Sequence, residues 1–452
     1  MEQDLTKGNL WKQIFVFSLP LMISNLLQVL FNMTDIAVVG RFAGSIALGA
    51  VGSTTTLVTL FTGFLIGMAG GVNVLIARYL GAKRPKDVED ATHTAVIICL
   101  LTGIVIMAAG LLFAYDILSL LHTKDELIAG AALYLRIYFL GMPALAIYNY
   151  GNAVFSAVGN TKKPLYYLTA AGIINIILNL FFVIVCKLDV AGVALASVIS
   201  QYISAILILG SLFRSKEVYG LCLSKLRLNG KMASAILTIG FPSAVQYGIF
   251  QLANLFIQFG VNTFDATMVA GNSAAANADG LVYDVMAAFY TACSSFIGQN
   301  YGARDKERVR KTYLITLAYS FGAGAVIGLA LELFGRQFLG LFTPEAAVID
   351  AGMKRLVIMG FSYAFSAFMD NAIAASRGLG KSVVPTVIVI MGSCVFRIIW
   401  VYTVFAYFGT IPSLYLLYIF SWSITAIVEM IYFRKVYRLQ FSPGLCTTLQ
   451  SP

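Results

Sequence analysis

Val74-Leu75-Ile76-Ala77-Arg78-Tyr79-Leu80-Gly81-Ala82-Lys83 returns about 221 residues later as Ser295-Phe296-Ile297-Gly298-Gln299-Asn300-Tyr301-Gly302-Ala303-Arg304. Ser18-Leu19-Pro20 returns as Gly240-Phe241-Pro242 at nearly the same offset. Gly159-Asn160-Thr161-Lys162-Lys163-Pro164 returns as Gly380-Lys381-Ser382-Val383-Val384-Pro385. One constant offset, close to half of 452 residues, means two homologous halves rather than a short solenoid repeat.

The composition identifies the solvent. Hydrophobic residues make up 59% of the chain and charged ones 12%. A soluble domain lies nearer one half and one quarter. Apolar runs long enough to cross the roughly 30 Å of hydrocarbon as helices recur along the whole length. The first, from about Trp11 to Val39, is too long for a signal-peptide core and has no cleavage pattern after it. The six cysteines are scattered without a CxxC, so no disulfide or zinc framework is expected. His93 and His122 have no clustered ligands beside them and are read as structural. No cofactor is expected.

Twelve spans are expected, at about 12–39, 48–76, 92–115, 129–153, 164–186, 190–213, 233–264, 270–297, 312–335, 351–376, 384–408 and 411–433. Lys and Arg gather in every second loop: Lys83, Arg84 and Lys86; Lys162 and Lys163; Arg214 to Lys231; Arg304 to Lys311; Arg377 and Lys381; Arg434 to Arg438. The net charge of +10 is therefore a topology signal, not a nucleic-acid footprint. Both termini and the central linker are expected in the cytoplasm. The expected organisation is a six-helix lobe over 1–213, a linker over 214–232, a second lobe over 233–437 and a tail over 438–452. Parallel repeats of this kind usually serve alternating access, with a substrate path between the halves.

Polar groups inside apolar spans are costly and mark function. Asp35 lies in span 1, roughly 8 Å below its outer end. Asn175 and Asn179 share one face of span 5 at i,i+4 spacing. Asn179 and Ser197 each lie about 12 Å below the outer ends of spans 5 and 6. One carboxylate, two amide oxygens and a hydroxyl suit Na+, or a proton on Asp35 alone. A helix cap at Asp35 with interhelical glue at the asparagines would account for the same residues. Pro20 removes one backbone hydrogen bond from span 1 and is the expected hinge, or else a static kink.

The second half does not copy this set. Ile257 stands opposite Asp35, although Asn254 matches Asn32. Asp279, Asp284, Asp370 and Arg397 are its intramembrane charges, as cavity-wall or ion-pair residues. An ion pair between Arg397 and Asp284, at similar depth, is expected. Gly380-Lys381-Ser382 resembles a P-loop end but Ala375 replaces the required glycine, and no ATP-binding domain is present. The sequon Asn32-Met33-Thr34 lies within a span. No Ser-His-Asp or HExxH arrangement occurs, so no enzyme is expected and energy must come from a gradient.

Leu19-Pro20, then Asn32-Met33-Thr34-Asp35-Ile36-Ala37-Val38-Val39-Gly40, then Gly298-Gln299-Asn300-Tyr301-Gly302-Ala303 and Arg377-Gly378-Leu379-Gly380-Lys381 together resemble the multidrug and toxic compound extrusion (MATE) family, in its DinF-like branch. The resemblance runs from Trp11 to about Tyr437. It implies an all-α polytopic membrane protein: twelve transmembrane helices in two pseudo-symmetric six-helix bundles, arranged as a V. It also implies efflux of organic cations and amphipathic drugs by antiport against H+ or Na+. The branch's span-1 acid matches Asp35 and its span-5 asparagine matches Asn175; an acid four residues on is here Asn179, and the span-6 threonine is Ser197. Losing one negative charge favours H+ over Na+. Asp279 matches a position that is acidic in the branch. A monomer in the inner membrane of a prokaryote is expected, without nucleic acid. The competing readings are a lipid-linked saccharide flippase of the same superfamily, which basic residues confined to loops argue against, and a non-transporting scaffold.

Overall fold

The computed structural model describes residues 4–121 and 123–442. His122, Cys446 and residues 443–452 of the expected tail lie outside them. Among the described residues, eleven helices are long and apolar enough to cross a membrane. They are α1 (Leu10–Phe42), α2 (Gly44–Gly81), α3 (Pro85–Leu120), α6 (Lys162–Val185), α7 (Asp189–Phe213), α8 (Gly230–Val261), α9 (Ala266–Gly302), α10 (Lys306–Gly340), α11 (Ala346–Gly378), α12 (Val383–Phe408) and α13 (Ile411–Gln440). The twelfth crossing is a bent pair, α4 (Asp125–Phe139) and α5 (Met142–Ala157), meeting at 48°. The expected unbroken span 4 is thus broken at Leu140-Gly141, just before Met142-Pro143 open the next helix. Pro143 has no N–H to return to the carbonyl of Phe139, so the ladder fails there. Several helices outrun the expected spans; α2, with 38 residues, is about 57 Å long and extends well past the hydrocarbon.

The described residues form two compact units, one of residues 23–248 and one of residues 4–22 with 249–442. Two helices change membership along their length. α1 runs unbroken through Pro20 and passes from one unit to the other after Met22. α8 runs unbroken through Pro242 and does the same after Gly248.

In the first unit, the start of α8 presses on α2 without side chains between them. A Cβ on Gly71 would sit 2.6 Å from the amide nitrogen of Gly240 and 2.7 Å from the carbonyl oxygen of Ile236. Val72, Ile76, Tyr150, Phe155 and Ile236 fill the core around this crossing. The linker before α8 is fastened to α3. Lys225 pairs with Glu89 at 2.5 Å and Arg227 with Asp90 at 2.8 Å. The hydrogen bond from Lys225 to the Glu89 carboxylate raises the lysine above its ordinary pKa. His93 accepts the Cys222 backbone N–H on Nε2 at 3.0 Å, and its Nδ1 lies 2.8 Å from the Glu89 carbonyl oxygen. The structural reading of His93 holds.

In the second unit the seat is made for the chain's beginning. Leu5 is fully buried with Leu10, Ile14 and Phe17 against Phe289 and Phe296. Arg308 donates to the carbonyls of Gly8 (3.0 Å), Leu5 (3.1 Å) and Lys7 (3.2 Å), and its Nε to Asn300 Oδ1 at 3.0 Å. Asn300 and Gln299 also hold Leu5, through its carbonyl and its N–H. The Gly298-Gln299-Asn300 stretch is therefore a receptor for the amino-terminal segment.

Candidate functional site

Three helices of the first unit converge on Asp35. α1 brings the acid, α6 brings Asn175 and Asn179, and α7 brings Ser197. Gly172 on α6 lets α1 come close: a Cβ there would meet the Phe31 ring at 1.9 Å. Asn179 donates from Nδ2 to Asp35 Oδ1, and also to Asn175 Oδ1 at 3.2 Å. Ser197 donates from Oγ to Asp35 Oδ2 at 3.1 Å. Asp35 is 9% exposed and Asn179 is fully buried. The four residues singled out in the first half thus form one cluster inside the bundle, and Asp35 is not a cap at a helix end.

This cluster has one loose end. Asn179 Oδ1 is buried with no hydrogen-bond partner. Both oxygens of Asp35 accept from donors, an arrangement that stabilises the charged acid. The idle oxygen on Asn179 can accept in turn if the acid carries a proton and the amide turns over. Tyr134 and Tyr138 of α4, stacked at 5.7 Å, lie within electrostatic reach of Asp35. Nothing but the general abundance of tyrosine pointed to these two in the sequence.

The charges of the second unit are arranged otherwise. Asp279 of α9 is held by Arg355 of α11 in an ion pair and accepts from Tyr363 Oη at 2.5 Å. Arg355 also donates to Asn272 Oδ1, which accepts from Tyr415 Oη at 2.7 Å. The expected pair between Arg397 and Asp284 does not form. Arg397 is enclosed instead by aromatic faces of α8 and α13, those of Phe250, Tyr418 and Trp422, while Asp284 lies on α9. Asp370 is half-buried on α11, within electrostatic reach of Arg377 and Arg397. Glu429 of α13 is fully buried with neither carboxyl oxygen hydrogen-bonded. Arg355 and Glu429 went unread in the sequence, although a charge inside an apolar span was the signal for both.

Comparison with known proteins bears on the whole chain. The sequence model of a family described as MatE matches residues 20–181 and again 242–403, so the second block begins and ends 222 residues after the first. The chain is 30% identical over 380 residues to the probable multidrug resistance protein YpnP of Bacillus subtilis, covering 83% of this chain and 84% of that one. It is 24% identical over 341 residues to a FAD transporter of Shewanella oneidensis, covering 74% of each. A solved outward-facing multidrug resistance MATE family transporter aligns with a TM-score of 0.89 at 22% identity, over 96% of this chain and 98% of that one. That last likeness shows the fold alone.

Proposed function

The chain belongs to the MatE family, and from that premise we propose that it is a secondary antiporter exporting amphipathic organic compounds, cations among them, in exchange for protons. It works in the inner membrane of a prokaryote with both termini in the cytoplasm, as the basic loops indicate. The observation that carries the reading is Asp35, enclosed within the first bundle and bridged to two other helices by Asn179 and Ser197.

The cluster offers a partner for each charge state of the acid. Ionised Asp35 accepts from Asn179 Nδ2 and Ser197 Oγ. Protonated Asp35 becomes a donor, and the idle Oδ1 of Asn179 becomes its acceptor. Proton loading therefore rearranges bonds between α1, α6 and α7, which gives it a differential grip on the two facing states. Proton and cargo then oppose one another through that shared equilibrium. An aspartate in place of Asn179 would add the second negative charge that a bound Na+ calls for. The names of the relatives, multidrug resistance protein and FAD transporter, support a broad range of amphipathic cargo.

Ethidium efflux from inverted vesicles tests this. A pH gradient drives efflux by the wild type, and Asp35→Asn falls to the level of vesicles lacking the protein. Undiminished efflux by folded Asp35→Asn defeats the reading. Efflux driven by Na+ without a pH gradient transfers the coupling to Na+ at the same residues.

A further inference from the structure

Two π turns of α12, Ile390–Val395 and Val401–Phe405, flank the short stretch Phe396–Trp400 that carries Arg397. Turns of this kind re-aim side chains and gather at functional sites. Arg397 is 1% exposed and yet permanently charged, deep within a span. Its Nε donates to Ser421 Oγ at 3.3 Å and its Nη1 to Asn254 Oδ1 at 3.3 Å. Nη2 has no partner. Among the described residues no acid comes within ion-pair distance; Asp370 and Asp279 act on the guanidinium only from farther away. Three ring faces surround it instead, Tyr418 at 4.7 Å, Phe250 at 5.0 Å and Trp422 at 5.8 Å. Aromatic faces attract a cation but supply no counter-charge.

A row of amides on α8 reaches the neighbour of the guanidinium. Gln251, Asn254 and Gln258 follow one another at helical spacing, with Asn254 exposed and the others half-buried. Hydrocarbon does not favour an amide-bearing face, so this face borders water or cargo. Arg397 lies one side chain behind Asn254.

We propose that Arg397 is an anion-binding subsite of the second unit, taking the carboxylate or phosphate of an amphiphile that arrives over the exposed Asn254. The proposal rests on the antiport reading and extends its cargo to compounds that carry an anionic group, zwitterions included. Nη2 and Nη1 together present the planar two-donor edge that matches a carboxylate or phosphate. Asn254, which now occupies Nη1, sits at the surface where an arriving anion displaces it.

Fluorescein (an aromatic anion) and ethidium (an aromatic cation) serve as probes in equilibrium binding to the purified full-length protein in detergent, read by fluorescence anisotropy. The wild type binds fluorescein saturably. Arg397→Gln weakens that binding at least about tenfold while ethidium affinity stays put, and Arg397→Lys falls between. If Arg397→Gln does not fold, Arg397→Lys carries the comparison, because charge is kept and the two-donor edge is lost. No saturable fluorescein binding, unchanged fluorescein affinity in a folded variant, or equal losses for both dyes overturns the proposal. So does displacement of fluorescein by phosphatidylglycerol, which would assign the site to lipid headgroups. Binding of fluorescein that depends on Arg397, without gradient-driven flux of either dye, overturns the antiport reading and leaves this one standing.

Discussion

The two halves bury opposite charges on different helices of a shared scaffold: an acid on α1 of the first and an arginine on α12 of the second. By the repeat, Asp35 of α1 becomes Ile257 of α8, and Asn175 and Asn179 of α6 fall near Phe396 and Trp400 of α12, with Arg397 beside the first of them. Asn32 alone keeps its identity, as Asn254. The first unit holds an acid whose charge can be switched by one proton, with a flexible amide beside it. The second holds a guanidinium whose charge cannot be switched, fixed among rings. The duplicated scaffold kept its prolines and its crossing helices while the electrostatics diverged. One unit can therefore change state as it binds while the other keeps a constant field.

That contrast is sharpest where an acid depends on its partner. Arg355→Leu leaves Asp279 without its ion-pair partner and is expected to cost about 3 kcal/mol, read as a lower Tm in detergent. Asp279→Asn in the same chain should recover most of the loss. Asp35→Asn, whose partners are an amide and a hydroxyl, should cost less than about 1 kcal/mol by the same measurement. Equal losses from the two single variants would erase the distinction between a switchable and a structural acid.

A smaller effect is expected at the helix crossings. Gly71→Ala drives a methyl into the backbone of Gly240 and should cost about 2 kcal/mol. The second half carries Ala292 at the matching position, already fully buried, and Ala292→Gly should cost about 1 kcal/mol. The smallest effect is at the linker. His93→Leu loses the acceptor for the Cys222 N–H and should cost about 1 kcal/mol or less. Its counterpart, Leu314, is exposed, so proteolysis of the linker should quicken in His93→Leu and be untouched by Leu314→Val.

Much of the architecture was legible because membrane solvation leaves few choices: length, apolarity and loop charge dictated twelve crossings. The break before Pro143 was legible in principle, since a proline in mid-span withholds an N–H, although Pro20 and Pro242 lie in unbroken helices. The Asp35 cluster was readable from helical depth alone, because rise per residue converts sequence distance into height. Arg397 was noticed but wrongly paired. Depth predicts height and says nothing of azimuth, and a guanidinium can lie among rings with no carboxylate beside it. The exchange of α1 and α8 between units was hidden for a related reason: periodicity tells which face is apolar, not which neighbour covers it.

The seat for the amino-terminal segment has a consequence for biosynthesis. Leu5, Gly8 and Phe17 are made first, and the groups that hold them, Gln299, Asn300, Phe296 and Arg308, are made nearly 300 residues later. The start of the first helix must therefore wait, inserted but undocked, until the ninth and tenth helices leave the ribosome. Contacts so distant along the chain close late and slowly. A nascent chain arrested before Arg308 would carry an exposed apolar stripe at its head, a ready substrate for membrane quality control.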